Sequence, residues 1–218
     1  MVTRVLRRNW EVLLLLVIGL FQYVSGQVLE FTQGSSKDYV LIADMVAVLG
    51  RFHQYIVPLL SPLWLIVLAY CAAVPLGGRL RRSLLDALAV FAMLKVGLLF
   101  LLLNLLILFP PQDRVLPILQ LLLFLPSLLL VWGWIYWRMD SNAVATTGQR
   151  VFLFRMSADI APGPFDYILA SLTSLISTTL GGFAGETRAA RTLIFLHGFM
   201  MWDVMGLTLS RAIALASL

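Results

Sequence analysis

Charge is what this sequence has least of. Charged residues make up 12% of its 218 positions and hydrophobic ones 61%, with a mean hydropathy of +0.93. A soluble domain carries about 25% charged and 45–50% apolar residues. The shortage excludes a soluble globular protein and leaves room for one helical bundle in a lipid bilayer, without a separate soluble domain. Cysteine is nearly absent: Cys71 stands alone, which excludes an intrachain disulfide and a cysteine metal cluster. Histidine occurs only at His53 and His197, with no HExxH-type spacing, whereas a bound metal needs several such ligands. No serine sits in a G-x-S-x-G context, and Gly77-Gly78 and Gly181-Gly182 are isolated pairs, far short of a phosphate-binding loop. No span repeats arginine every third position as a voltage sensor does. Enzyme chemistry, cofactors, metals and nucleic-acid partners are therefore not expected. The net charge of +5 sits in short arginine clusters at the ends of hydrophobic runs, where it reports orientation.

The chain is rich, by contrast, in long apolar runs. Crossing the hydrocarbon takes about 20 mostly apolar residues. Trp10–Gln27 is the first candidate, with Trp10 and Tyr23 as interfacial anchors. Arg4, Arg7 and Arg8 ahead of Val12–Leu20, with Val24-Ser25-Gly26 behind it, also fit a signal-peptide layout; a first transmembrane helix is the preferred reading, because Gln22 and Tyr23 make a poor approach to a cleavage site. Val28–Lys37 reads as a polar connection, and Tyr39–Gly50 as a short helix at the interface. Tyr55–Leu76, with Pro58, Pro62 and Pro75, is a second span kinked by proline. GGRLRR, residues 77–82, is a basic turn; Leu84–Phe109 and Val115–Trp137 are the third and fourth spans. Ser141–Gly148 reads as a flexible linker, and Val151–Ile160 as an amphipathic helix on the membrane surface, with Arg155 and Asp159 at helical spacing. The expected organisation is a four-span bundle over 1–140, a linker with an interfacial helix over 141–164, and a C-terminal hairpin over 165–218.

With a cytoplasmic N-terminus, Arg4, Arg7, Arg8, Arg79, Arg81, Arg82, Arg138, Arg150 and Arg155 all fall inside, against Lys37, Arg51 and Arg114 outside. Residues 165–183 then start from the cytoplasmic side. They either cross, giving six spans, or re-enter, giving five, and crossing is the preferred expectation.

Ionisable residues inside a membrane mark function by default. Lys95 lies well inside the third span and Asp203 near the middle of the last, with His197 below it. Lys95 with Asp203 is the expected ion pair, either charging a polar path or joining two helices in register. His197 reads as a packed or interfacial histidine ahead of a proton relay or a ligand. A run of hydroxyls, Ser171, Thr173, Ser174, Ser177, Thr178 and Thr179, can line water, bond back to carbonyls four residues earlier, or link helices.

In order, Asp166-Tyr167, Ser171, Thr173-Ser174-Leu175, Thr179-Leu180-Gly181-Gly182-Phe183 and Glu186-Thr187-Arg188-Ala189-Ala190-Arg191 resemble the two-helix pore domain of the potassium-channel superfamily. That domain has an aspartate-aromatic start, a hydroxyl-bearing pore helix, a T-V-G-[YF]-G-D filter and an arginine-bearing turn into the inner helix. The stretch Trp134–Asp140 (WIYWRMD), with the FLF and FDY segments after it, looks like a group of bacterial multi-span proteins distantly related to those channels. The resemblance covers about residues 134–216. It implies a bacterial inner-membrane location and a homo-oligomer, four copies where a pore is formed. The filter differs: Phe183 stands where glycine is required and Gly182 where the aromatic is, no aspartate follows, and the spacing from Asp166 to Thr179 is about two residues long. Potassium selectivity rests on successive backbone carbonyls replacing the ion's water, so it is not expected here. The arginine count also has the loop entering from inside, whereas a potassium-channel pore loop enters from outside.

The expectation is an all-α polytopic membrane bundle of five or six spans, channel-like, surrounded by lipid. Ser177, Thr178, Thr179, Leu180, Gly181, Gly182 and Phe183 would form a constriction, with Thr173 and Ser174 lining its helix and Lys95 and Asp203 tuning its charge. A non-conducting membrane subunit or scaffold with a protein partner is the alternative, and a small transporter using the proline-broken second span is the third; no inverted repeat supports the last.

Overall fold

Helix accounts for nearly all of the computed structural model, which describes residues 2–34, 48, 51, 55, 57–74, 78–108, 115–154, 161–173 and 183–216. Among the described residues six helices occur in order: α1 (Val2–Gly34), α2 (Val57–Ala73), α3 (Arg79–Leu108), α4 (Val115–Thr147), α5 (Pro164–Thr173) and α6 (Arg188–Ala216). Two short strands, β1 (Phe152–Phe154) and β2 (Phe183–Gly185), flank α5. Four helices are long and apolar enough to cross a membrane, over Asn9–Val28, Arg79–Asn104, Ile118–Thr147 and Arg188–Ser210, and Leu59–Ala73 is a shorter apolar helix. An integral membrane protein of all-α class is what these lengths support. The expected interfacial helix at 39–50 lies outside the described residues except for Val48.

The chain falls into two compact units, residues 1–127 and 128–218. In the first, α1, α2 and α3 pack pairwise. In lipid, apolar surface gives helices little reason to associate, so polar cross-links carry extra weight. Three are present. Gln22 Nε2 donates to the Ala92 carbonyl at 2.9 Å, tying α1 to α3. Gln120 Nε2 donates to Ser25 Oγ at 2.8 Å, tying α4 to α1. Arg81 Nε donates to the Cys71 carbonyl at 2.8 Å, so a cation caps the C-terminal end of α2, where the helix dipole favours it. GGRLRR is thus only partly a turn: α3 is already helical from Arg79. α1 kinks at Asn9, whose φ/ψ of −113/19 departs from helix, and stays helical to Gly34 through part of the expected connection.

The second unit starts inside α4, because the C-terminal half of that helix packs against β1, α5 and α6 and their connections. Ser141–Gly148 is not a flexible linker: α4 continues to Thr147 and ends where Gly148 takes φ +71, with its N–H on the Val144 carbonyl at 3.0 Å. This is a left-handed glycine C-cap. Nor is 151–160 a helix throughout: residues 152–154 form β1, paired antiparallel with β2 in the register Phe152↔Gly185, Leu153↔Ala184, Phe154↔Phe183. The spacing of Arg155 and Asp159 suggested a helix, but FLF pairs instead with a strand distant in the chain.

That pairing bears on the expected crossing. Ten residues of α5 rise about 15 Å, half of a hydrocarbon core about 30 Å thick. A single crossing would leave residue 183 on the opposite face from residue 152, yet the two belong to paired strands. The strands before and after α5 therefore lie side by side, an arrangement that a re-entrant segment accommodates and a single crossing does not. In a Cys71→Ser background, a Leu153→Cys/Ala184→Cys double variant should oxidise to an intrachain disulfide, because directly paired strand residues fall within bridging range. Each single cysteine should react with a membrane-impermeant maleimide from the same side only. Labelling of the two from opposite sides would reinstate a crossing.

Candidate functional site

The C-terminal half of α4 sets out Trp132, Tyr136 and Asp140 at four-residue spacing, so all three share one helix face. Asp140 is 1% exposed. Its carboxylate accepts from the Arg150 guanidinium at 2.8 Å, from the backbone N–H of Val151 at 2.8 Å and of Phe152 at 3.2 Å, and from the Tyr167 hydroxyl. Arg150 also donates to the Tyr167 oxygen at 3.0 Å. A buried carboxylate persists as a charge only when its lone pairs are met this way. Burial, followed by the Asp140 carboxylate, pushes the Tyr167 phenol above its ordinary range, which keeps it a proton donor.

Below this polar knot lies an aromatic cluster centred on Phe183. Its ring is 4.9 Å from Phe152, nearly parallel, 4.9 Å from Phe154 and 5.0 Å from Tyr136. Phe154 meets Tyr167 edge-on at 4.8 Å, joining the cluster to the Asp140 network. His197 of α6 completes it, stacked on Trp132 at 4.8 Å with Nδ1 2.9 Å from the Tyr136 oxygen. The histidine is fully buried, a packed residue as the sequence suggested.

α5 is placed by small features. Pro164 stands at its first position, where a missing N–H is no loss, and Asp166 Oδ2 accepts from the Gly163 N–H at 2.7 Å, closing the helix start. Ser171 Oγ donates to the Leu129 carbonyl at 2.8 Å, holding α5 on α4. Gly133 permits the approach, since a Cβ there would come within 2.8 Å of the Ile168 Cα. On the far side of the loop, Gly185 sits so close to the start of α6 that a Cβ would meet the Arg191 nitrogen at 2.8 Å, and Thr187 Oγ1 caps α6 by accepting from the Ala190 N–H at 3.1 Å.

The residues expected to form a path fare differently. Phe183 is committed to the aromatic core at 7% exposure, so its side chain anchors the end of the loop and does not narrow a path. Thr173 Oγ1 bonds back to the Ala170 carbonyl at 2.8 Å. Ser174, Ser177, Thr178, Thr179, Leu180, Gly181 and Gly182 lie outside the described residues. Asp203 is half-buried on α6, in the second unit, and Lys95 half-buried on α3, in the first. Within its own unit, Lys95 holds its ammonium 5.9 Å from the centre of the Phe91 ring. Sequence reasoning missed Asp140, read as an exit to water, and with it Arg150 and Tyr167 as its partners. The only local signal was an aspartate four residues beyond Tyr136 on the same face.

Asp140→Ala would strand two backbone donors and the Tyr167 hydroxyl, at a cost of about 2–5 kcal/mol, whereas Tyr167→Phe forfeits one hydrogen bond, about 1 kcal/mol. Thermal unfolding in detergent should rank them in that order, and an Asp140→Ala variant no weaker than Tyr167→Phe would remove Asp140 as the anchor. Because the fold holds back ionisation of Tyr167, whose ordinary value is 10.0, the unfolded phenol ionises first as pH rises. Stability should therefore fall above about pH 10, and Tyr167→Phe should flatten that slope. No protein-family model, curated protein or solved structure matches the chain.

Proposed function

We propose that the chain is a channel-like integral membrane protein in which residues 155–182 re-enter the bilayer from the cytoplasmic side, several copies enclosing an ion path without potassium selectivity. The pairing of β1 with β2 carries this reading, because it brings the two ends of a hydroxyl-rich segment together, as a segment entering and leaving by one membrane face would need. Irregular backbone at membrane depth is tolerated only where it is buried in protein or lines a water-filled cavity. Ser174, Ser177, Thr178 and Thr179 in one run suit the second role. Re-entry also places Arg188 and Arg191 with the cytoplasmic arginines, which sharpens the charge asymmetry. A bacterial inner membrane and a homotetramer are implied by the resemblance of residues 134–216 to potassium-channel pore domains.

A second reading is a non-conducting membrane subunit. It is favoured by the bulky face of α6, where Phe195 and Trp202 are each 69% exposed and Leu209 62%: such a face suits a partner helix as well as lipid.

Native mass spectrometry in nanodiscs separates the two. A tetramer that passes ions in liposomes, and loses flux in Gly181→Val with assembly intact, supports the channel. A monomer, or a tetramer whose flux is unchanged by Gly181→Val, sinks it and leaves the subunit reading.

A further inference from the structure

The first unit contains a cavity of about 520 Å³ between α1, α2 and α3, within the 300–1,000 Å³ range of small-molecule sites. Its walls are apolar, from Leu20, Leu65 and Phe91 among others, and Lys95 projects from one of them. The position of that lysine is unusual. It lies roughly 20 Å along α3 from Arg82 at 1.5 Å per residue, too deep for its stem to carry the charge to the cytoplasmic surface. Among the described residues of its unit it has no carboxylate partner, and its nearest electrostatic contact is the face of Phe91 at 5.9 Å. A cation at such depth costs several kcal/mol unless something compensates it.

Trp64 contributes its ring to the same wall. The Trp64 indole nitrogen is buried and donates to nothing among the described residues, although the residue is only 9% exposed. It points to the seam with α1, where a Cβ on Gly19 would come within 3.0 Å of it. Buried indole N–H groups ordinarily find an acceptor. Gln22, also in the wall, already gives its amide donor to the Ala92 carbonyl. The charged group of the wall is the Lys95 ammonium, beside the neutral polar residues Gln22, Tyr23, Gln27 and Ser61, and a cation there calls for an anionic acceptor. The rim is apolar and open to the helix exterior, with Leu16 41%, Leu20 61% and Leu65 55% exposed, so entry is lateral, from hydrocarbon.

We propose that this cavity binds a single-chain amphiphile with an anionic head, taken from the bilayer, its head on the Lys95 ammonium and its chain along Leu20, Leu65 and the Trp64 ring. The site belongs to the first unit and stands independently of whether the second unit conducts.

The test uses the full chain in detergent with oleate as the probe, oleyl alcohol as the neutral match and acetate as the free anion. Native mass spectrometry should show one oleate per chain, at least about tenfold tighter than oleyl alcohol, with acetate failing to compete. Lys95→Met should lose that preference and Lys95→Arg keep it. Dibromostearate should quench tryptophan fluorescence saturably, and Trp64→Phe should remove the saturable part. Equal binding of alcohol and acid, competition by acetate, an unaffected Lys95→Met variant, or quenching that survives Trp64→Phe would each overturn the proposal. So would an Asp203→Leu change that restores the stability lost in Lys95→Met, because Lys95 would then be paired with that carboxylate.

Discussion

One buried carboxylate holds the second unit in register. Asp140 faces a problem common to any chain leaving a membrane helix: the next backbone donors must find acceptors before water is available to supply them. The N–H groups of Val151 and Phe152 are those donors, and both bond the same oxygen of Asp140. The other oxygen receives Arg150 and Tyr167. The carboxylate thereby fixes the turn after α4, the start of β1 and the rotation of α5 at once. Charge-assisted hydrogen bonds are about twice as strong as neutral ones, and they are directional, which apolar packing is not. The rings below contribute differently. Each aromatic pair adds about 0.5–1.5 kcal/mol beyond area burial, and Phe183 takes part in three such pairs. Packing supplies more of the energy, and Asp140 decides which packing forms.

This arrangement also limits what the loop between β1 and β2 can offer to a solute. Two of its hydroxyls are already bonded to backbone carbonyls, Ser171 on α4 and Thr173 on its own helix. Phe183 belongs to the core. Any polar lining must therefore come from the stretch between them, whose ends are held by Gly133 on one side and by Gly185 on the other, each where a side chain would collide with backbone.

Hydropathy and arginine placement made the membrane class legible in the sequence, along with the long helices, because both signals are local and repeat over about 20 residues or more. The packed character of His197 was legible too. The strands were not. Three residues are too few to establish a two-residue period, and β1 pairs with a partner about thirty positions away, so nothing near FLF announces it. Arg155 and Asp159 supplied a stronger local pattern of the wrong kind. Asp140 was misread for the same reason: an aspartate after a tryptophan-rich helix end looks like an exit to water, and only the return of Arg150 and Tyr167 makes it a core residue. Gly148 could have been recognised as a helix stop, since glycine after threonines with a polar sequence beyond is a common C-cap pattern; reading 141–148 as a flexible linker ended α4 well short of Thr147.

The two units meet the same requirement, that polar groups away from water be satisfied, by different chemistry. The second gathers a charge and its partners into a closed network. The first uses neutral or terminal contacts: an amide to a carbonyl, an amide to a hydroxyl, a guanidinium to a helix end. These cross-links join α1, α2, α3 and the N-terminal part of α4 without enclosing a charge pair. A cavity can exist among helices held this way because lipid solvates their apolar faces as well as another helix does. Lys95 differs from Arg81 in holding its charge within an apolar wall, away from any helix end. A cation in that position is where an anionic acceptor from outside the unit would complete the wall.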